Sequence, residues 1–297
     1  MRILILGGTG MLGHKLWQRL GARFSDCRVT VRGKRQDYQR FTLFDDSRVM
    51  ENVDVTDARQ LVTALETAAP EIIINCVAVT KRREAPAGPV SSILLNAWLP
   101  HRIAEWAKAC GSRLITISTD CVFDGRKGGY TEEDLPNAQD VYGRSKALGE
   151  INYGNALTLR TSFIGRELDN RTELLEWFLG EAGKTVHGFR GALYTGISNL
   201  YCADLIGDII ENFPQLNGIF QVTSEIINKY ELLCLAREAF GIDVKIEADD
   251  SVAMRRNLDG TKFRNATGYS TPSWRKMMTD LAADPTPYIE WNCSRAV

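Results

Sequence analysis

Tyr142 and Lys146 are the side chains in this sequence whose types and spacing best suit proton transfer. They lie four residues apart in the segment YGRSK, and on a helix this spacing places both on one face, about 5 to 6 Å apart at Cβ. A phenol, whose ordinary pKa is about 10, becomes a useful proton donor at neutral pH beside a fixed cation. Ser118 or Thr119, upstream, could supply a hydroxyl that shares a substrate oxygen with the phenol. The pattern predicts a proton-delivery site for a carbonyl or alkoxide, although a solvated helix face can carry the same pair.

A glycine-rich turn near the N-terminus predicts a dinucleotide-binding site. The apolar run of residues 1–6 is typical of a strand covered on both faces, and the GxxGxxG pattern after it leads into a segment with helical apolar spacing. Glycines there permit a tight strand-to-helix turn, close approach of the backbone to a pyrophosphate, and close packing of a helix whose N-terminus faces the anion. The candidate cofactor-binding residues of this turn are Gly7, Thr9, Gly10, Met11, Leu12 and Gly13.

Basic residues after the second predicted strand indicate which dinucleotide is preferred. A site selective for NAD usually places a carboxylate here to hold the adenosine ribose 2′-hydroxyl. This chain has Arg32, Lys34 and Arg35 instead, and a guanidinium would bind the 2′-phosphate that a carboxylate repels. The pattern favours NADP(H), with NAD(H) possible, while an ordinary solvated basic turn is the alternative.

Two further strand ends carry candidate cofactor contacts. Asp54 and Val55 follow a predicted strand, and Asp54 could bind the adenine amino group or could be a turn residue. The apolar run at residues 71–75 predicts a fourth strand, and the small residues after it would let the ribose and phosphates of the cofactor pass. These residues are Cys76, Val77 and Ala78.

Three consecutive cations follow the fourth predicted strand. Lys81, Arg82 and Arg83 could hold the diphosphate of a substrate, and a solvated basic turn is about equally compatible with the pattern. Thr80, which precedes them, is a further candidate substrate contact.

Alternating strand and helix patterns predict the fold. Five or six such units precede residue 161, which predicts an α/β fold of the Rossmann type with a doubly wound parallel sheet. The alternation lapses from Ser162 onward and returns at residues 199–223. We therefore predict an NADP-binding Rossmann domain from residues 1–165 and 199–223. A smaller, mainly C-terminal substrate-binding lobe would comprise residues 166–198 and 224–297.

Composition narrows the functional classes. The 297 residues carry a formal charge of −1 at pH 7, which provides no global attraction for nucleic acid or an anionic membrane. Seven cysteines without a CxxC pair, and only three histidines, favour a reducing, cytoplasmic location and argue against a structural zinc site. No apolar run approaches the roughly 20 residues that span a bilayer. We predict no metal ligands among the site residues, no nucleic-acid partner and no membrane partner.

Six motifs resemble those of the extended short-chain dehydrogenase/reductase superfamily, and within it the dTDP-4-dehydrorhamnose reductase family. The resemblance covers nearly the whole chain. The motifs are GGTGMLG at residues 7–13, STDCVFDG at 118–125, YGRSK at 142–146, LRTSFIG at 159–165, RRNLDGTKF at 255–263 and PSW at 272–274.

The resemblance implies a catalytic triad of Thr119, Tyr142 and Lys146 that reduces the 4-keto group of a 4-keto-6-deoxy sugar carried on a nucleoside diphosphate. Tyr142 would protonate the C4 oxygen as a hydride arrives from NADPH. Lys146 would lower the pKa of the phenol and bind the nicotinamide ribose, and Thr119 would position the carbonyl. The implied substrate contacts are Asp120, Cys121, Phe163, Arg256 and Lys262. Some relatives are dimers aided by Mg²⁺, so a homodimer is possible and a Mg²⁺ requirement stays open.

Two departures from the family pattern leave alternatives open. Cys121 stands where the family has tyrosine in STDYVFDG, and residues 81–84 replace the usual valine-aspartate and alanine-glutamate pairs. A related keto sugar on UDP is therefore as plausible as the dTDP-linked rhamnose precursor. Cys121 and His187 could make the protein a bifunctional epimerase/reductase, and a non-catalytic NADP-sensing regulator is a third possibility. Dehydration is disfavoured because Cys121, rather than a second carboxylate, follows Asp120.

Overall fold

A seven-stranded parallel sheet forms the centre of the computed structural model, which describes residues 1–82, 84–169 and 171–293. Its strands are β1 (Ile3–Leu6), β2 (Cys27–Thr30), β3 (Val49–Met50), β4 (Ile72–Asn75), β5 (Arg113–Ser118), β6 (Ala156–Arg160) and β11 (Gly218–Gln221). They stand in the order β11-β6-β5-β4-β1-β2-β3. The direction of winding reverses between β1 and β4, and open α/β sheets bind ligands in the crevice at such a point. The predicted Rossmann-type fold is therefore confirmed.

Helices pack on both faces of this sheet. They are α1 (Gly13–Arg23) and α7 (Asn199–Asn212) on one face, and α2 (Ala58–Ala68) and α4 (Leu99–Cys110) on the other. Two more helices, α3 (Glu84–Ser92) and α5 (Val141–Leu148), contact each other. Successive side chains of a strand point to opposite faces, so Ile3 and Ile5 join one apolar core with α1 and α7, while Leu4 and Leu6 join another with α2 and α4. Because both faces are covered, β1 is apolar at every position. Within the described ranges no helix is long and apolar enough to cross a membrane.

Shorter elements form the C-terminal lobe. Strand β8 (Thr185–Phe189) pairs in parallel with β13 (Lys245–Asp249), and β9 (Ala192–Tyr194) pairs with both β12 (Ile227–Asn228) and β14 (Met254–Arg255). In a further small sheet, β7 (Phe163–Ile164) pairs with β10 (Ile197–Ser198). The remaining helices are α6 (Leu174–Leu179), α8 (Lys229–Phe240), α9 (Thr261–Thr267), α10 (Trp274–Ala282) and α11 (Tyr288–Cys293). Residues of β7, β9, β14, α6 and α8 border two cavities together with residues that follow the central strands.

Candidate active site

Three adjoining cavities run along the carboxyl edge of the sheet and into the lobe. The turn cavity, of about 490 Å³, is bordered by the glycine-rich turn and the ends of β2 and β4. The central cavity, of about 320 Å³, is bordered by the ends of β4 and β5 and by α5. The lobe cavity, of about 280 Å³, lies between the sheet and the lobe. The turn and central cavities share Gly10, Cys76, Val77 and Ala78, and the central and lobe cavities share Met11, Arg82, Cys121, Ser162, Phe163 and Glu173.

Gly7 and Gly13 show why the first turn requires glycine. Gly7 has a φ of +87°, and a Cβ there would lie 2.9 Å from Cγ2 of Val77. A Cβ on Gly13 would lie 2.1 Å from the carbonyl oxygen of Gly7, so α1 packs directly on the strand end. Among the described residues no side chain caps the N-terminus of α1, which leaves its end free to face an anion. The turn residues that border a cavity are Gly7, Thr9, Gly10, Met11 and Leu12.

Arg32 borders the turn cavity, whereas Lys34 and Arg35 do not line it in the described structure. The chain enters a 3₁₀ turn at Arg35, and Nη2 of Arg35 donates to the carbonyl oxygen of Val49 at 3.3 Å. Of the three cations predicted to bind the cofactor, Arg32 is therefore the one that borders the turn cavity in the described structure.

Asp54 and Val55 also line the turn cavity. The Asp54 carboxylate accepts hydrogen bonds from N and Oγ1 of Thr56, at 2.9 and 2.7 Å. Burial acts to raise the pKa of Asp54, but these bonds and the charge of Arg32 outweigh it and lower the pKa. Asp54 is thus a turn residue that keeps an ionised carboxylate at the cavity wall.

Thr119, rather than Ser118, presents its hydroxyl to the central cavity beside the phenol. Ser118 is the last residue of β5, and its Oγ donates to Oε1 of Glu150 at 2.6 Å. Thr119 is extended, with a φ of −141°, and its Oγ1 accepts from the backbone N of Cys121 at 3.2 Å. The Thr119 hydroxyl donates to Oδ1 of Asp120 at 3.2 Å. It also acts to lower the pKa of the neighbouring Tyr142 phenol.

Tyr142 lines the central cavity from the first turn of α5. Asp140 caps this helix by accepting from the backbone N of Gly143 at 2.8 Å. A Cβ on Gly143 would lie 2.3 Å from the carbonyl oxygen of Cys121, so glycine at this position lets α5 approach the turn that carries Thr119. Burial, followed by the charge of Cys121, raises the pKa of the Tyr142 phenol above its ordinary value.

Lys146 is buried in the same cavity and donates from Nζ to the carbonyl oxygen of Ile117 at 2.6 Å. Burial lowers the pKa of Lys146 to about 8, while Glu150 and Cys76 act to raise it. The lowering of the Tyr142 pKa by Lys146 stays a prediction; the largest influence on this phenol is burial, which raises its pKa. The structure thus brings the predicted triad together around a phenol that holds its proton at neutral pH.

Cys121 and Arg256 meet at the junction of the central and lobe cavities. Nη1 of Arg256 donates to Sγ of Cys121 at 3.2 Å, and its Nε donates to the carbonyl oxygen of Phe123 at 3.1 Å. Burial and the neighbouring Asp120 raise the pKa of the Cys121 thiol to about 12, against the charge of Arg256. Within the described part of the chain, no group of three His, Cys, Asp or Glu side chains could hold a metal ion.

Lys81 and Arg82 border the central cavity and are both engaged with neighbouring groups. Nζ of Lys81 lies 2.7 Å from Oδ2 of Asp140, and Nη1 of Arg82 donates to the carbonyl oxygen of Thr172 at 2.8 Å. Arg82 also reaches the lobe cavity. The third predicted cation, Arg83, lies outside the described residues.

The structure does not bring Lys262 or His187 to any of the three cavities. Lys262 donates to the carbonyl oxygen of Ile219 at 3.0 Å, on the edge strand β11. His187 is exposed on β8, 4.0 Å from Asp249. Neither side chain lines the cavities among the described residues. The pairing of Cys121 with His187 across one sugar ring, required for the bifunctional epimerase, is therefore not supported.

Several polar side chains of the cavities were not identified from the sequence, among them three in or near the lobe. Glu173 borders the central and lobe cavities, and Tyr194 and Lys229 border the lobe cavity. Burial, followed by the charge of Arg82, lowers the pKa of Lys229. Residues 166–198 have no regular period and Lys229 simply begins a helix, so no sequence signal places them at the site.

Comparison of the chain with known proteins identifies its family. A family model described as the RmlD substrate binding domain matches residues 1–175. The rat protein named methionine adenosyltransferase 2 subunit beta is 26% identical over 255 residues, covering 81% of this chain and 72% of that protein.

Two solved structures share the fold over most of the chain. That of a hypothetical dTDP-4-dehydrorhamnose reductase from Sulfolobus tokodaii has a TM-score of 0.74 and 27% identity, covering 92% of this chain and 98% of that one. That of dTDP-4-dehydrorhamnose reductase from Bacillus anthracis in complex with NADP has a TM-score of 0.78 and 20% identity, covering 95% and 99%. The family model spans more than half of the chain, and the protein belongs to the RmlD-like, dTDP-4-dehydrorhamnose reductase family of extended short-chain dehydrogenases/reductases.

Proposed function

We propose that the protein reduces the 4-keto group of a 4-keto-6-deoxy sugar carried on a nucleoside diphosphate, using NADPH. The observation that carries the proposal is the meeting of Thr119, Tyr142 and Lys146 in one cavity that continues into the glycine-rich turn on one side and the lobe on the other. A long groove of this kind fits a dinucleotide at one end and a nucleotide sugar at the other, with the reacting carbons between them.

The cofactor would lie along the turn and central cavities. The N-terminus of α1 would face its pyrophosphate, and Arg32 would bind the 2′-phosphate, which is the reason for preferring NADPH over NADH. When bound, NADPH supplies the hydride that reaches C4 of the sugar.

Tyr142 would act as the general acid. A phenol, whose ordinary pKa is about 10, is protonated at neutral pH and has a proton to donate when charge develops on the C4 oxygen. Burial raises the pKa of Tyr142 further, which keeps the phenol protonated until the substrate oxygen becomes basic. Thr119 would hold the carbonyl oxygen beside the phenol. The buried ammonium of Lys146 would stabilise the phenolate that remains.

The lobe cavity would hold the diphosphate. Arg82, Lys229 and Arg256 all border it, and guanidinium and ammonium groups are the side chains that bind phosphates. Phe163 and Cys121 would contact the sugar at the junction of the cavities. The carrier nucleotide is either dTDP or UDP.

A second candidate function is a cofactor-binding subunit without turnover of its own. Its support is the similarity to the rat protein named as a subunit of methionine adenosyltransferase, which covers 81% of this chain. The presence of Tyr142, Lys146 and Thr119 in one cavity favours the reductase.

The two functions make different predictions in one assay. Purified protein is mixed with NADPH and a panel of 4-keto-6-deoxy sugars on dTDP and on UDP, and absorbance at 340 nm is followed. Oxidation of NADPH that depends on one sugar supports the reductase. Tight NADPH binding in calorimetry, without oxidation on any member of the panel, supports the subunit and rejects the reductase.

A further inference from the structure

We infer that Glu173 recognises the sugar of the substrate by accepting hydrogen bonds from a ring hydroxyl next to the reacting carbonyl. This assignment rests on the proposed function. It identifies the part of the substrate that is recognised where the central and lobe cavities meet. Glu173 borders both cavities.

The Glu173 carboxylate turns away from the helix that it begins. Glu173 occupies the N-cap position of α6, where a short polar side chain commonly accepts from the backbone of the first turn, yet its side chain makes no such bond. Instead, Oγ1 of Thr80 donates to Oε1 of Glu173 at 2.8 Å from the end of β4. The carboxylate is therefore held at the sheet side of the site.

The backbone around Glu173 is also fixed. Oε2 of Glu167 accepts from the backbone N atoms of Thr172 and Glu173, both at 2.7 Å, and Glu167 itself is buried. The carboxylate is thus presented by an ordered segment rather than by a freely rotating side chain.

Glu173 keeps acceptor capacity beyond its bond to Thr80, at a position that borders both cavities. An ionised carboxylate can accept about four hydrogen bonds, and Thr80 uses one position on Oε1. Nε of Arg82 lies 4.0 Å from Oε2, and the Glu173 side chain is 19% exposed. A group that accepts and does not donate matches the hydroxyls of a sugar and repels a phosphate.

The position of Glu173 relative to Tyr142 indicates which part of the substrate it meets. Both side chains line the central cavity, and the charge of Glu173 acts to raise the pKa of the Tyr142 phenol. With the phenol at the C4 oxygen, the carboxylate would lie beside a hydroxyl on a neighbouring ring carbon. The diphosphate would lie farther into the lobe cavity, toward Lys229 and Arg256.

Calorimetry with and without the sugar tests this assignment independently of turnover. Binding of dTDP-rhamnose and UDP-rhamnose is compared with binding of dTDP and UDP, in the presence of NADP⁺, for the wild type, Glu173→Ala and Thr80→Val. Glu173→Ala should weaken nucleotide-sugar binding by about 10-fold or more, because it removes a hydrogen bond between the sugar and a charged group. Thr80→Val should give a smaller loss, because the carboxylate remains but loses its anchor.

The control is Glu181→Gln, which removes a carboxylate that follows α6, pairs with Lys184 and lines neither cavity. It should leave all affinities unchanged. The assignment is overturned if Glu173→Ala weakens the free nucleotides as much as the nucleotide sugars, or if the sugar adds no affinity in the wild type. A protein that shows the sugar-dependent loss but never oxidises NADPH would retain this assignment and reject the proposed reduction.

Discussion

Arg160, the last residue of β6, donates two hydrogen bonds of 2.8 and 2.7 Å to the carboxylate of Glu150, and both side chains are buried. Ser118 donates a third, at 2.6 Å. The Glu150 carboxylate is the main charge that raises the pKa of Lys146 against the effect of burial, with Cys76 the other contributor. The protonation of the lysine in the proposed site therefore depends on a residue that borders none of the three cavities.

Glu150→Gln should move the alkaline limit of activity to lower pH. The pKa of Lys146 is about 8, so its ammonium is present below that pH and is lost above it. Without the Glu150 charge the pKa of Lys146 should fall further, and activity should decline at correspondingly lower pH. The pH profile of kcat/KM measures the shift, and an unmoved alkaline limb would contradict the prediction.

Ser118→Ala is the matched control for this change. It removes a hydrogen bond to Glu150 but keeps the carboxylate, so its alkaline limb should stay near that of the wild type. Because Glu150→Gln leaves Arg160 buried without its ionic partner, which costs about 3–5 kcal/mol, both variants are assayed at a temperature where circular dichroism shows them folded.

Tyr142→Phe should lower kcat by about 10²- to 10⁴-fold, because it removes the proton donor. NADPH affinity should change little, since in the proposed binding mode the glycine turn and Arg32 would hold the other end of the cofactor. Single-turnover oxidation of NADPH measures the chemical step, and calorimetry measures cofactor binding. Full activity in this variant would remove the phenol from the mechanism.

Arg32→Ala should weaken NADPH by about 10-fold or more while changing NADH by less than about 2-fold, because the guanidinium would contact only the 2′-phosphate. Lys34→Ala serves as the control, since Lys34 does not line the turn cavity in the described structure. Fluorescence titration with both cofactors gives the two ratios. An equal loss for NADPH and NADH would mean that Arg32 acts on the fold of the turn rather than on the phosphate.

The sheet and the glycine turn were predictable because local patterns determine them. An apolar run buried on both faces, such as Ile3–Leu6, has one economical place in a parallel sheet, and the carboxyl ends of such strands converge. That convergence places Gly7, Cys76 and Thr119, which follow β1, β4 and β5, along one groove.

The lobe was much less predictable, because its contacts join distant segments. Strand β8 pairs with β13, which follows it by more than 50 residues, and Lys229 faces Arg82 across the cavity. The loop at residues 36–48, which has no clear period, contains two 3₁₀ turns and buries Phe41 and Phe44. No local sequence pattern predicts these contacts, so Glu173, Tyr194 and Lys229 are identified as cavity residues only from the tertiary structure.

His14 should make stability depend on pH through a contact with the far end of the chain. It is fully buried in α1, with Nδ1 2.8 Å from the carbonyl oxygen of Gly10 and Nε2 2.8 Å from the hydroxyl of Tyr288. A neutral ring with its hydrogen on Nδ1 satisfies both contacts, because a carbonyl oxygen only accepts. Burial, reinforced by the charge of Lys15, lowers the pKa of His14 from 6.5 to about 3.

The unfolded chain therefore binds more protons than the folded protein between these two pH values. The contribution of His14 to stability is fully present above pH 6.5 and is lost progressively as the pH falls toward 3, at up to about 1.4 kcal/mol per pH unit. Urea unfolding at pH 7, 6 and 5 measures this slope. His14→Gln should be less stable at pH 7 and should show a shallower slope, whereas His101→Gln, at a half-buried surface position, should keep the wild-type slope. Equal slopes in the wild type and His14→Gln would show that other groups control how the stability of the protein depends on pH.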